Sequence, residues 1–101
     1  MREFLRGAVR LHILHHAAEG DVHGAWMANE LADHGYRISP GSLYPTLHKM
    51  ETEGLLRSSR QVVDGRARRS YVATAKGRRT LASTKRQLRE LANEVLGDAT
   101  T

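Results

Sequence analysis

The chain has 101 residues, a formal net charge of +5 and no cysteine, which predicts one small domain without disulfides or thiolate metal sites. No apolar run is long enough to span a membrane, and the N-terminal segment lacks the pattern of a secretory signal. We therefore expect a cytoplasmic protein with no membrane partner. No nucleophile elbow, phosphate-binding loop or paired-carboxylate motif occurs, so the sequence predicts no enzyme and no cofactor.

The charge is distributed very unevenly along the chain. Residues 1–56 sum to −2 and residues 90–101 to −3, whereas residues 57–89 hold eleven Lys/Arg against one Asp/Glu and sum to +10. A basic block of this density is either a disordered tail or a surface that binds a polyanion. Because the block contains strand-like residues followed by an apolar helical repeat, we favour the polyanion-binding surface.

Two helices are predicted in the first third of the chain. Apolar residues recur at helical spacing over 4–18, and Gly20 ends this first helix. A shorter periodic segment follows Asp21 and ends at Gly35, with Trp26 on its apolar face. This second helix should run for about three turns.

A third helix is predicted to begin after Ser39, whose hydroxyl can accept a hydrogen bond from an unpaired backbone N–H, with Pro40 at the first helical position. It should end at Gly54. Its core-facing residues are Leu43, Leu47 and Met50. No acidic residue occupies its first turn, which leaves the positive end of the helix dipole open to a phosphate. Helices two and three, joined by the short Gly-containing connection 35–38, predict a helix-turn-helix.

Pro45 falls inside this third helix and removes the hydrogen bond to the Gly41 carbonyl, so we expect a local bend or a short 3₁₀ opening. The bend is either a tolerated irregularity without a function or a feature that orients the Ser42 and Tyr44 side chains toward DNA. Tyr44 could instead be partly buried with its hydroxyl paired.

A β-hairpin is predicted next. Residues 56–63 and 68–73 read as two strands, and Asp64-Gly65 is a strong signal for a two-residue turn. The arginines that flank the tip are Arg66, Arg68 and Arg69. Because these three arginines lie in the most basic block of the chain, contact with DNA is favoured over a merely solvated turn. Three helices followed by a basic hairpin predict a winged helix-turn-helix, a mainly α fold with a small β-hairpin.

The C-terminal part reads as one long helix. Thr74 is a candidate N-cap, and the helix should run over 75–96 for about 33 Å. Apolar residues then recur at alternating spacings of three and four and form a seam of about two heptads. The seam consists of Leu81, Thr84, Leu88, Leu91 and Val95.

Several motifs resemble those of the PadR family of bacterial transcription regulators. The run SPGSLYPTLHKMETEGLL from Ser39 resembles the family's recognition helix, and His23-Gly24 resembles the start of its second helix. Gly65-Arg66 and the run TAKGR from Thr74 resemble its wing and the start of its last helix. The resemblance covers nearly the whole chain and is to the short form, which carries a single C-terminal helix.

This resemblance implies a homodimeric repressor that binds a pseudo-palindromic operator, with the last helix, helped by the first, forming the dimer interface. We therefore expect a DNA-binding domain over 1–74, a dimerisation helix over 75–97 and a frayed tail over 98–101. The expected DNA contacts are Ser39, Ser42, Tyr44, Thr46, His48, Lys49, Arg66, Arg68 and Arg69. The expected interface residues are Leu81, Leu88, Leu91 and Val95. Two alternatives use the same winged fold: binding of structured RNA, and docking of a protein partner.

Two further features have competing interpretations. Trp26 is either a core or interface residue or, because some members of the family sense aromatic or drug-like molecules, part of an effector pocket. His12 and His16 lie four residues apart on a predicted helix, so both could bind one metal ion, and His15 lies between them. Since no carboxylate pair accompanies them in the sequence, we expect a structural or pH-sensitive role and no metal.

Overall fold

The computed structural model describes residues 1–97, and the tail predicted for 98–101 lies outside the described residues. Within them no helix is long and apolar enough to cross a membrane. The elements in chain order are α1 (Arg2–Glu19), β1 (Val22–His23), α2 (Gly24–Asp33), α3 (Pro40–Thr52), β2 (Leu56–Val63), β3 (Arg66–Ala73) and α4 (Ala75–Leu96). The predicted fold class, mainly α with a small β-hairpin, is confirmed.

The sheet has one strand more than the sequence predicted. Val22–His23 pairs antiparallel with β3, opposite Tyr71 and Ser70, and gives the strand order β1-β3-β2. The second helix therefore begins at Gly24, after His23 as N-cap, rather than directly after Asp21. The hairpin forms around the predicted Asp64-Gly65 turn, where both residues have positive φ, as a type I′ turn requires. Its second strand begins at Arg66, two residues earlier than predicted.

The core lies where the helices meet the base of the sheet. Its largest fully buried apolar side chains come from the first three helices and the first residue of β2, and they are Ile13, Met27, Leu31, Leu43, Leu47, Met50 and Leu56. Tyr71 and Ala73 close the core from β3, and Leu81 closes it from α4. Burial of these side chains fixes α3 with one face inward and the other outward.

The start of α3 differs from the sequence prediction in its capping. Ser39 is the N-cap residue and Pro40 is the first helical residue, as predicted, but the Ser39 hydroxyl makes no capping bond and lies 3.4 Å from the Ser42 hydroxyl instead. The helix is α-helical from Pro40 through Pro45 to Thr52. Of the two alternatives expected at Pro45, the 3₁₀ opening is therefore absent, and the local bend stays a prediction.

The start of α4 is tied to the end of α3. The Thr74 hydroxyl accepts a hydrogen bond from the Gly77 N–H at 2.9 Å and donates one to the Gly54 carbonyl at 2.5 Å. The Lys76 ammonium donates to the Glu53 carbonyl at 2.8 Å. The predicted N-cap is confirmed, and it also fixes the long helix against the turn that precedes the hairpin.

Candidate nucleic-acid interface

The outward face of α3 carries polar and basic side chains. Ser42, Tyr44, His48 and Lys49 are all exposed, whereas Thr46 is half-buried. The Thr46 hydroxyl donates to the Ser42 carbonyl at 2.8 Å, so its proton is already used within the helix. A ligand that meets α3 would therefore find a donor at Lys49 and hydroxyls at Ser42 and Tyr44.

Tyr44 is both exposed and packed. Its side chain is 46% exposed, so the ring reaches the surface although about half of it is buried. The ring nevertheless lies against the start of α2, where a Cβ built on Gly24 would come within 2.7 Å of Tyr44 Cε1. Any side chain at position 24 would displace this ring, which gives the His23-Gly24 motif a physical reason.

The three arginines near the hairpin tip do not share one face of the sheet. Because side chains alternate along a strand, Arg66 and Arg68 point to one face and Arg69 to the other. All three are exposed. Arg69 is directly opposite Arg60 in the register, and like charges at paired positions destabilise a sheet. An anion between them would remove that repulsion.

The hairpin, called the wing below (β2, β3 and their turn), is joined to α3 through Glu51. The Glu51 carboxylate accepts hydrogen bonds from the Ser58 N–H at 3.1 Å and the Ser58 hydroxyl at 2.8 Å. Arg69 Nη1 donates to the same hydroxyl at 3.2 Å. The bond from Ser58 lowers the pKa of the Glu51 carboxyl below its ordinary value. The Glu51 carboxylate therefore stays charged while its hydrogen bonds to Ser58 hold the base of the wing against α3.

The other acidic residue at the end of α3 is also engaged. Glu53 forms an ion pair and hydrogen bond with Arg10 of α1. This bond is the main reason why the pKa of the Glu53 carboxyl lies below its ordinary value. Both carboxylates at the end of α3 therefore have cationic or hydroxyl partners within the chain.

Acid is expected to weaken the junction between α3 and the wing. A carboxyl with a depressed pKa stabilises the folded state above its unfolded pKa, and this stability is lost as the pH falls through the folded pKa. Since the ordinary value for Glu51 is 4.5, the free energy of unfolding should decline as the pH falls below that value. Ser58→Ala should make this decline shallower, and Ser39→Ala should leave it unchanged. Urea unfolding between about pH 7 and about pH 3 measures both slopes.

A surface of exposed apolar side chains runs along α4 and continues onto α1. Leu88, Leu91 and Val95 are 45%, 46% and 68% exposed, and Phe4 of α1 is 52% exposed. A groove of about 450 Å³ between the two helices is lined by Phe4, Leu88 and Leu91 among others. Leu81, predicted on the same seam, is only 7% exposed and packs into the core of its own chain. It is therefore not available to a second copy.

The histidines of α1 form a cluster with residues of α2 that the sequence did not bring together. His16 Nε2 and His34 Nε2 each lie 3.1 Å from Glu30 Oε2. Burial, with the nearby charge of His34, lowers the pKa of His12. Donor atoms of His15, His16 and Glu19 lie within 4.8 Å of one another, a spacing at which three groups could hold one cation. The prediction that no carboxylate pair accompanies these histidines does not hold in the fold, where Glu19 and Glu30 both lie beside His16.

Trp26 is not a core residue. Its side chain is 45% exposed, and its ring meets the ring of His16 edge-on at 5.2 Å. It lines neither the groove between α1 and α4 nor the groove beside Arg37. Of the interpretation as a core or interface residue, the core part is therefore wrong, whereas a role at an interface or in an effector pocket stays a prediction.

Comparison with known proteins identifies relatives over nearly the full length. Residues 13–83 match the model of the "Transcriptional regulator PadR-like family". The chain is 66% identical to the transcriptional regulator Rv3488 of Mycobacterium tuberculosis over 97 residues, which is 96% of this chain and 91% of that protein.

Solved structures show the same fold. A PadR family regulator from Eggerthella lenta superposes with a TM-score of 0.82 at 30% identity, covering 98% of this chain and 88% of that one. A PadR-like regulator from Bacillus cereus gives a TM-score of 0.85 at 27% identity with 98% of each chain covered. Bacillus subtilis PadR, solved in complex with operator DNA, gives 0.68 at 18% identity over 75% of this chain and 45% of that one. The matched segment, the identity and the shared fold agree: this chain belongs to the PadR-like family of transcriptional regulators.

Proposed function

We propose that this protein is a homodimeric repressor that binds a pseudo-palindromic duplex with α3 in the major groove and the wing against the neighbouring backbone. The observation that carries the proposal is the outward face of α3, where Ser42, His48 and Lys49 are exposed while Glu51 and Glu53 are held by partners within the chain. A helix about 10–12 Å across fits a major groove about 12 Å wide.

The wing supplies the complementary charge. Arg66 and Arg68 lie on one face of the hairpin and the facing pair Arg60 and Arg69 on the other, so that both faces present cations to a phosphate backbone. The repulsion between Arg60 and Arg69 is a cost in the free protein that a phosphate would relieve. The Bacillus subtilis relative that was solved with operator DNA has the same winged fold.

The apolar surface of α4 and α1 supports pairing with a second copy of the chain. Leu88, Leu91 and Val95 follow one another along the seam, and Phe4 extends the surface onto α1. A contiguous apolar patch of this kind marks an interface in a soluble protein. A two-fold dimer would present its two α3 helices to successive major grooves, with half-site centres about 10 base pairs, or about 34 Å, apart.

Release by a small aromatic or drug-like effector is a further part of the proposal. Its support is the half-exposed ring of Trp26, which offers a stacking face beside His16. A cytoplasmic location follows from the proposed role on chromosomal DNA.

The test separates contacts to phosphates from contacts to bases. Arg68→Ala should lower affinity about tenfold on every duplex and reduce the number of ions released on binding by about one for each bound protomer, or about two for the dimer. Lys49→Ala should instead change the preference among duplex sequences by about 1–3 kcal/mol at one base position. Selection of bound genomic fragments, followed by titration of selected and unrelated duplexes at several salt concentrations, measures both effects.

Arg79→Ala is the matched control, because Arg79 is an exposed cation on α4, outside the wing and α3. It should leave the sequence preference and most of the affinity intact. Equal losses for Arg68→Ala and Lys49→Ala on all sequences would contradict the division between wing and helix. Preferential binding of structured RNA in direct competition, or no salt-dependent binding to duplex DNA, would favour the two alternative functions.

A further inference from the structure

A second group of arginines lies beside α3, in a part of the chain whose net charge is negative. Arg2 and Arg6 lie one helical turn apart on α1, and Arg37 lies in the connection between α2 and α3. Together they line an open groove of about 640 Å³, called the arginine groove below. Ser42 and Thr46 of α3 form its opposite wall.

The chemistry of the arginine groove suits an extended anion. All three arginines are exposed, and no carboxylate lines the groove among the described residues. Leu5, Val9 and Ile38 also line the groove, and they offer apolar surface to the aliphatic stems of the arginines. A planar guanidinium binds a phosphate through two parallel hydrogen bonds.

The position of the groove around α3 shows which anion it would meet. Ser42 and Glu51 are nine residues apart, which is about two and a half helical turns, so they point to opposite sides of the helix. Glu51 contacts the wing through Ser58, whereas Ser42 borders the arginine groove. The wing and the arginine groove therefore flank α3 on opposite sides. A helix lying in the major groove has a phosphate backbone on each side.

We infer that Arg2, Arg6 and Arg37 hold backbone phosphates of the operator on the side of α3 opposite the wing. This inference rests on the DNA-binding function proposed above and adds a second line of phosphate contacts to it. The recognition helix is then held in register from both sides, by the wing on one strand and by the arginine groove on the other.

The first test replaces the arginines singly and together with glutamine. Each of Arg2→Gln, Arg6→Gln and Arg37→Gln should lower affinity about three- to tenfold on selected and unrelated duplexes alike, without changing the preference between them. The triple variant should reduce the salt slope by about three ions for each bound protomer, or about six for the proposed dimer. Arg86→Gln, which removes an exposed cation on α4, should change the slope by less than one. Circular dichroism and sedimentation check that the variants keep their fold and oligomeric state.

The second test locates the contact. A duplex with a neutral methylphosphonate at one phosphate beside the major groove should bind the wild-type protein several-fold more weakly, whereas the triple variant should not discriminate it from the unmodified duplex. If the triple variant binds as Arg86→Gln does, or if both proteins respond equally to every methylphosphonate, the arginine groove does not contact DNA and the inference is overturned. If the wild-type protein itself fails to bind duplex DNA, the proposed function is overturned as well.

Discussion

Gly77→Ala is expected to lower the free energy of unfolding by about 3 kcal/mol, the upper end of what overpacking usually costs. A Cβ at this position would lie 2.2 Å from the carbonyl oxygen of Leu55 and 3.2 Å from Leu14 Cδ1. The Leu55 carbonyl cannot move aside freely, because it accepts a hydrogen bond from the Thr74 N–H at 3.1 Å. The first turn of α4 would have to shift away from the turn that precedes the wing.

Urea unfolding of the two proteins at equal concentration measures this effect. Gly41→Ala serves as the matched control, since its Cβ would meet only the Ser39 hydroxyl oxygen at 3.7 Å, and alanine is favoured over glycine in a helix by up to about 1 kcal/mol. It should be neutral or stabilising. A loss below about 1 kcal/mol for Gly77→Ala would show that α4 can shift at little cost and does not need the close contact.

Local sequence rules do not predict that position 77 requires glycine. Thr74 could be predicted as an N-cap because capping depends on residues within one helical turn. The clash at Gly77 depends on the Leu55 carbonyl, which lies 22 positions earlier, in the turn between α3 and β2. The family motif TAKGR contained this glycine, but only the packing of α4 on the turn gives its reason.

The same distinction between local and distant determinants explains the other differences. The hairpin register follows from alternation and from Asp64-Gly65, both local signals. β1 is two residues long and acquires its partner from β3, about fifty positions away, so no periodicity could predict it. Pro45 breaks a local rule, yet the α-helix continues through it because the buried face of α3 fixes the backbone.

The residues of the candidate interface also fall into two groups, those that local sequence signals predict and those that come together only in the fold. The wing arginines were predictable because they are clustered in the sequence, where residues 57–89 sum to +10. Arg2, Arg6 and Arg37 were missed because they lie in a segment of net negative charge and meet only in the fold. The seam of α4 was predicted as continuous, but the body of the chain covers its first part, so that Leu81 faces the core while Leu88 faces outward.

Leu88→Asp is expected to convert the protein to a monomer and to lower its affinity for a two-half-site operator about a hundredfold, because the half-sites are then bound independently. Leu88 is 45% exposed in the single chain and lines the groove between α1 and α4 with Phe4 and Leu91. An unpaired carboxylate in the centre of an apolar interface must be desolvated or must keep the interface open. The fold of the single chain should survive, since this side chain lies outside the core.

Ala82→Asp is the matched control for the dimer. Ala82 is exposed and lies six residues before Leu88, about 120° around α4 and away from the seam. It introduces the same carboxylate and the same change in charge, so it should stay dimeric. Sedimentation over a range of concentrations measures the mass of each variant, and titration of duplexes with one and two half-sites measures the avidity. A dimeric Leu88→Asp would locate the interface away from the α4 seam, whereas a monomer with unchanged affinity would show that operator binding does not require two linked copies of α3.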